Sequence, residues 1–153
     1  MTTQPKYIDP MVFWGTEIFR FIEQDAPHFY ATTKQLSAVL PDCFPNHVGI
    51  RCQAYPQAWI VGRALHIAAD FRFDGASGPA IDGIGNMLAA LVHDALCGLK
   101  AAVPAANYSW ADADRAYRVI CVAQGAGRFR AWYHWAGLRS CGWAHRLIIS
   151  RKS

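Results

Sequence analysis

His93 and Asp94 stand in the middle of an apolar run, "LVHDALCGL", and Asp114 lies further on in "WADADRAYRVI". A carboxylate bonded to one imidazole nitrogen fixes the tautomer and leaves the other nitrogen to take a proton from water. His93 and Asp114 are therefore the candidate catalytic pair, a general base and its orienter, and the chemistry they suit is hydrolysis. Asp94 sits one position round the helix, towards the glycine-rich stretch "DGASGPAIDGIG" that carries Asp74 and Asp82. Carboxylates beside flexible backbone carbonyls suit a hard cation such as calcium and not zinc, which makes Asp94 and Asp74 candidate metal ligands. Each assignment has a plainer counterpart. A buried His–Asp hydrogen bond can serve a core with no reaction attached, and "DGAS" fits a turn in which the Asp side chain bonds nearby amides. Cys97, one turn after His93, is expected to be a small thiol packed between helices.

Two antiparallel helices must bring this pair together. In the first, Met87, Leu88, Leu91, Ala95 and Leu99 recur at helical spacing as a core stripe. Its other side holds Asn86, Ala89, Ala90, His93 and Cys97, small enough for a second helix to approach. That second helix starts at Ser109, with Asp112 three residues on as a capping box. Its stripe of Trp110, Ala113, Asp114, Tyr117 and Cys121 sets a carboxylate inside an apolar face, where leaving it unpaired would be costly. A third helix is expected within "GRFRAWYHWAGLRS", with an aromatic face and an arginine face side by side.

Ahead of the helices, "AWIVGRALHIAADFRFDG" carries short β-branched and aromatic runs around Gly62, with Leu65/Ile67 and Phe71/Phe73 alternating. It reads as a hairpin or small sheet. The pieces "WGTEIFRFIEQ" and "YATTKQLSAVL" are helix-compatible, and the turn cluster "PDCFPN" closes the region that holds them. The expected organisation is a docking segment rich in aromatic residues over 1–50 and a β-hairpin plus helical domain over 51–153.

Composition bounds the partners. With 153 residues, 53% of them hydrophobic, the chain has enough apolar surface to build a core without a cofactor or disulfide. Cys43, Cys52, Cys97, Cys121 and Cys141 are odd in number and lack C-x-x-C spacing, so free, mostly buried thiols in a reducing compartment are expected. Glu17 and Arg20 interrupt "MVFWGTEIFRFI" and no basic region precedes it, so no signal peptide is expected. No apolar run reaches the ~18–20 residues of a membrane span, which implies a soluble protein. The net charge of +4 is uneven: after Asp114 no acidic residue occurs, yet seven arginines and Lys152 follow. A basic end of this kind suits an anionic phospholipid or an acidic protein surface. Nucleic acid is not an expected partner, because no recognition motif accompanies the charge.

At these residues a resemblance enters. "FRFDGASGPAID", "LVHDAL", "ADRAY" and "GRFRAWYHWAGLRSCG" resemble a bacteriophage and prophage family of unknown function, with the pattern DGAS-x-P, HDxLY, ADRxF and an Arg-Ala-aromatic helix, over about residues 59 to 143. That pattern is in turn remotely similar to the secretory phospholipase family and its parvoviral capsid relatives. There an HDxxY helix lies antiparallel to a helix carrying a second Asp. The resemblance implies the base at His93, a calcium ligand at Asp94 and the orienting carboxylate at Asp114, with Asp74 as the nearest further ligand. This sequence departs from the pattern where Cys97 replaces the tyrosine and where Leu91 and Val92 replace a cysteine pair, and no standard calcium loop aligns.

The expected fold is α+β: a small β-hairpin or sheet followed by an antiparallel core of three helices, phospholipase-like. The expected function is calcium-dependent hydrolysis of an envelope ester by a phage-encoded protein made in the host cytoplasm. The alternative is a non-enzymatic virion component, part of a tail or head–tail junction, that binds other virion proteins and forms an oligomer within the particle.

Overall fold

In the computed structural model, strands come first and helices follow. The structure describes residues 6–7, 11–12, 18–19, 21–24, 29–45, 49–73, 84–125, 127–129, 131–132, 135–137 and 139. The strands are β1 (Lys6–Tyr7), β2 (Met11–Val12), β3 (Ile18–Phe19), β4 (Phe21–Gln24), β5 (Phe29–Thr32), β6 (Leu36–Val39), β7 (Gly49–Cys52), β8 (Tyr55–Val61), β9 (Ala64–Ile67) and β10 (Arg72–Phe73). Helix α1 spans Ile84–Ala102 and α2 spans Trp110–Ala123. Beyond α2, residues 128–129, 131–132, 135–137 and 139 are helical, where the third helix is expected.

The sheet that positions the site is antiparallel, in the order β6-β9-β8-β7. Period-2 alternation gives it one buried face, because successive strand side chains point to opposite sides. Leu36 and Ala38, Ala58 and Ile60, and Leu65 and Ile67 are all buried, and their registers (Leu36↔Ile67, Ala38↔Leu65, Ala58↔Ile67, Ile60↔Leu65) stack them on that face. β8 and β9 form the hairpin expected around Gly62. Gly62 has φ +59°, at the first position of a two-residue turn where a side chain would be strained.

Strands also replace the two helical pieces expected near the amino end. "WGTEIFRFIEQ" contains β3 and β4, and "YATTKQLSAVL" contains most of β5 and all of β6. Bulky aromatic and β-branched residues are compatible with either state locally, and distant partners decide. β4 pairs with β5, β5 with β10, and β6 with β9, so segments on both sides of residue 50 share sheets. Thr32 reinforces one of these joins: its hydroxyl donates to the Ala68 carbonyl at 2.9 Å and accepts from the Phe71 amide at 2.9 Å.

Helix α1 packs against β8 on one side and α2 on another. Leu88, Leu91, Ala95 and Leu99 from the expected stripe are fully buried, and so are Ala89, Val92 and Leu96. Burying each Leu removes about 1.5–3 kcal/mol worth of apolar surface from water, so this helix is the centre of the fold. Gly98 breaks the apolar run for a packing reason. The end of the Tyr55 ring lies where a β-carbon at position 98 would stand.

The connection from α1 to α2 is tied down at several points. Lys100 Nζ donates to the carbonyls of Pro104 (2.7 Å) and Ala106 (2.9 Å), and the Tyr108 hydroxyl donates to the Leu96 carbonyl at 2.6 Å. The capping box then starts α2: Ser109 Oγ accepts from the Asp112 amide at 3.2 Å, and the Ser109 amide donates to Asp112 Oδ2 at 2.7 Å. Fixing both ends of the connection fixes which faces of the two helices meet.

Among the described residues no helix is long and apolar enough to cross a membrane. The four described cysteines are free thiols. Cys121 is the buried one among them, while Cys43 is exposed and Cys52 and Cys97 are half-buried, so the expectation of mostly buried thiols is corrected. Cys43 and Cys52 belong to a connection and to the outermost strand of the sheet, positions the core does not cover.

Candidate functional site

His93 and Asp114 meet where α1 and α2 face each other. Nε2 of His93 stands 2.8 Å from Oδ1 of Asp114. An ionised carboxylate only accepts, so Nε2 carries the proton and donates it, which leaves Nδ1 as the nitrogen able to take another. Asp114 is fully buried. Its second oxygen accepts from Arg139 Nη1 at 3.3 Å, so both carboxylate oxygens have cationic or polar donors. The Tyr117 ring meets the imidazole edge-on at 5.9 Å between centroids and walls one side.

On its other side the imidazole meets two more residues of α1. Asp94 Oδ1 is 3.7 Å from Nδ1, an ion-pair distance longer than a hydrogen bond. Cys97 Sγ is 3.9 Å from Nδ1 and 3.6 Å from Nε2, as the one-turn spacing of the two residues requires. Burial pushes the imidazole down. The carboxylate of Asp114, then Asp94 and Cys97, outweigh burial and hold His93 well above its ordinary 6.5. An imidazole in this setting favours the protonated form. Tyr55 closes the site from β8: burial first, then Asp94 and Cys97, push its hydroxyl up to about 12, so it stays a neutral phenol. Burial, then Cys97 and Tyr55, likewise push Tyr108 up.

The expected residues divide as follows. His93 and Asp114 come together as helix geometry requires, and Asp94 lies beside them. Asp74 and Asp82 lie outside the described residues. Among the described residues there is no group of three or more His, Cys, Asp or Glu side chains that could hold a metal ion. Asp94 is the one expected ligand among them, and its carboxylate lies 3.7 Å from Nδ1 of His93, so these residues do not by themselves make up a calcium site. Arg139 is the functional side chain that the sequence reading leaves in the basic tail. The signal for it is Asp114 itself, because a buried carboxylate has two oxygens to satisfy and His93 serves one.

The family model described as a protein of unknown function (DUF1353) matches residues 57–138, more than half of the 153 residues. The chain belongs to the DUF1353 family. The DUF1353 match runs from β8 through both long helices and takes in His93, Asp94, Cys97 and Asp114, stopping one residue short of Arg139. No curated protein and no solved structure matches the chain.

Proposed function

We propose that the His93–Asp114 pair is the reaction centre of a hydrolase-like, phage-encoded protein that cleaves an ester of an envelope lipid. The observation that carries this is the 2.8 Å bond from Nε2 to a buried carboxylate, which leaves Nδ1, beside Asp94 and Cys97, as the nitrogen that can take a proton. Water there gives a proton to Nδ1 as its oxygen attacks the ester carbonyl. The carbon–oxygen bond to the alcohol then breaks, and the alcohol leaves with the proton from Nδ1. Asp114 holds the ring and stabilises its cationic form, and Arg139 holds Asp114. Calcium belongs to the same proposal through Asp94 and Asp74, and no step above runs through it. The test is ester release from anionic phospholipid vesicles, with calcium and with chelator, by the native chain and by His93→Asn. Equal, background-level rates from the two proteins remove the enzyme. Equal rates with calcium and chelator, at a His93-dependent level, remove the cation alone.

A second reading is a non-enzymatic virion component of a tail or head–tail junction, with a phospholipase-like core and no reaction. The observation that favours it is the charge chain Arg139–Asp114–His93, which links three helical segments and needs a protonated imidazole. On this reading His93→Asn costs stability and alters no reaction, and the chain is recovered stoichiometrically from purified particles.

A further inference from the structure

Among the described residues, Cys97 is a nucleophilic side chain beside the His93–Asp114 pair whose role is not accounted for by that pair. It is half-buried, and its sulfur lies 3.6 Å from Nε2 and 3.9 Å from Nδ1, the nitrogen that Asp114 does not occupy and that faces Asp94 at 3.7 Å. A thiol is the stronger nucleophile, and its reactive form is the thiolate, which a neighbouring imidazole produces by taking its proton. Nucleophile, base and orienter then follow in the order Cys97, His93, Asp114, each in contact with the next. The Tyr55 ring end packs over Gly98, the residue after Cys97, and brings a neutral phenol to this side of α1.

We propose that Cys97 is a covalent nucleophile served by His93, taking acyl groups from esters and alkyl groups from soft electrophiles. In the acyl reaction the thiol proton passes to Nδ1 and sulfur attacks the carbonyl carbon. A carbon–sulfur bond forms, the carbon–oxygen bond breaks, and the alcohol leaves with the proton from His93. Water then gives its proton to Nδ1 and attacks the thioester, which releases the acid and restores the thiol. The acyl step rests on the ester reading above and replaces direct attack by water. Alkylation by a haloacetamide does not rest on it: sulfur displaces halide, and the thiol proton goes to His93.

Two arms separate the claims. In the first, the native chain is treated with limiting iodoacetamide and its cysteine peptides are mapped, with Cys43 and Cys52 as internal references and buried Cys121 as a reporter of unfolding. Cys97 is expected to label about tenfold faster than Cys52, and His93→Asn to bring the two together. Cys97 labelling no faster than Cys52 in the native chain overturns the proposal. Unchanged fast labelling of Cys97 in a variant that still protects Cys121 overturns it too. If His93→Asn exposes Cys121, the native comparison decides alone. In the second arm, p-nitrophenyl acetate should leave acetyl on Cys97 of the native chain. His93-dependent ester hydrolysis that survives intact in Cys97→Ala would leave the pair acting on water and overturn the covalent step. Fast, His93-dependent alkylation with no ester turnover would support the nucleophile and remove the hydrolase.

Discussion

Replacing Asp114 by alanine takes the acceptor from two donors at once. Asp114 is fully buried, with His93 at 2.8 Å and Arg139 at 3.3 Å. Removing one partner of a buried ion pair costs about 3–5 kcal/mol, because the other charge is left without compensation. The Arg139 side chain is 43% exposed and regains water once released, so its share is small. The lower end, about 3 kcal/mol, is the expected cost, and a urea slope of about 2 kcal/mol/M turns it into a midpoint about 1.5 M lower. A double-mutant cycle with His93→Asn isolates the pair, and a charge-assisted bond of this kind should couple by about 1.5–3 kcal/mol near pH 6. The pH sign follows from His93, whose folded value lies above its ordinary 6.5. The coupling is then complete below the unfolded value and is lost as pH rises through the folded one, so it is smaller at about pH 10 than at about pH 6. A coupling under about 0.5 kcal/mol near pH 6, or one that grows with pH, would refute the ion-pair argument.

Four further outcomes are expected. Arg139→Gln should lower stability by about 1 kcal/mol in thermal unfolding, less than Asp114→Ala, because water replaces part of the lost contact. Ser109→Ala removes the capping box and should cost about 1 kcal/mol, with faster hydrogen exchange at the first-turn amides of α2. Gly98→Ala gains about 1 kcal/mol of helix preference but drives a β-carbon into Tyr55, an overpacking cost of about 1–3 kcal/mol, so the urea midpoint should fall. Ester release from vesicles, measured across pH, should climb above the ordinary histidine range, since the base form of His93 appears only once its raised value is passed; a rate that peaks below 6.5 contradicts this.

Much of the helical half is legible in the sequence because its signals are local. Ser109 and Asp112 announce the start of α2 within four residues, and the Leu88, Leu91, Ala95, Leu99 stripe announces the buried face of α1. The pairing of His93 with Asp114 follows from those two periods and a short connection. The strands before residue 50 are less legible, since the residues that select them lie far along the chain: β5 finds β10 and β6 finds β9. One local clue does exist in "LSAVL", where Leu36, Ala38 and Leu40 are buried and alternate with Ser37 and Val39. Arg139 is hidden for another reason. A guanidinium in a run of basic residues looks solvated until the buried carboxylate opposite it is located.

The link from Arg139 to Asp114 makes the electrostatics of His93 depend on a residue that meets the carboxylate partner of the imidazole. Any partner or ligand that draws the 128–139 stretch away would release one carboxylate oxygen and strengthen the hold of Asp114 on the ring. Proton affinity at the interface of α1 and α2 is in this way tied to the position of Arg139 through its salt link to Asp114.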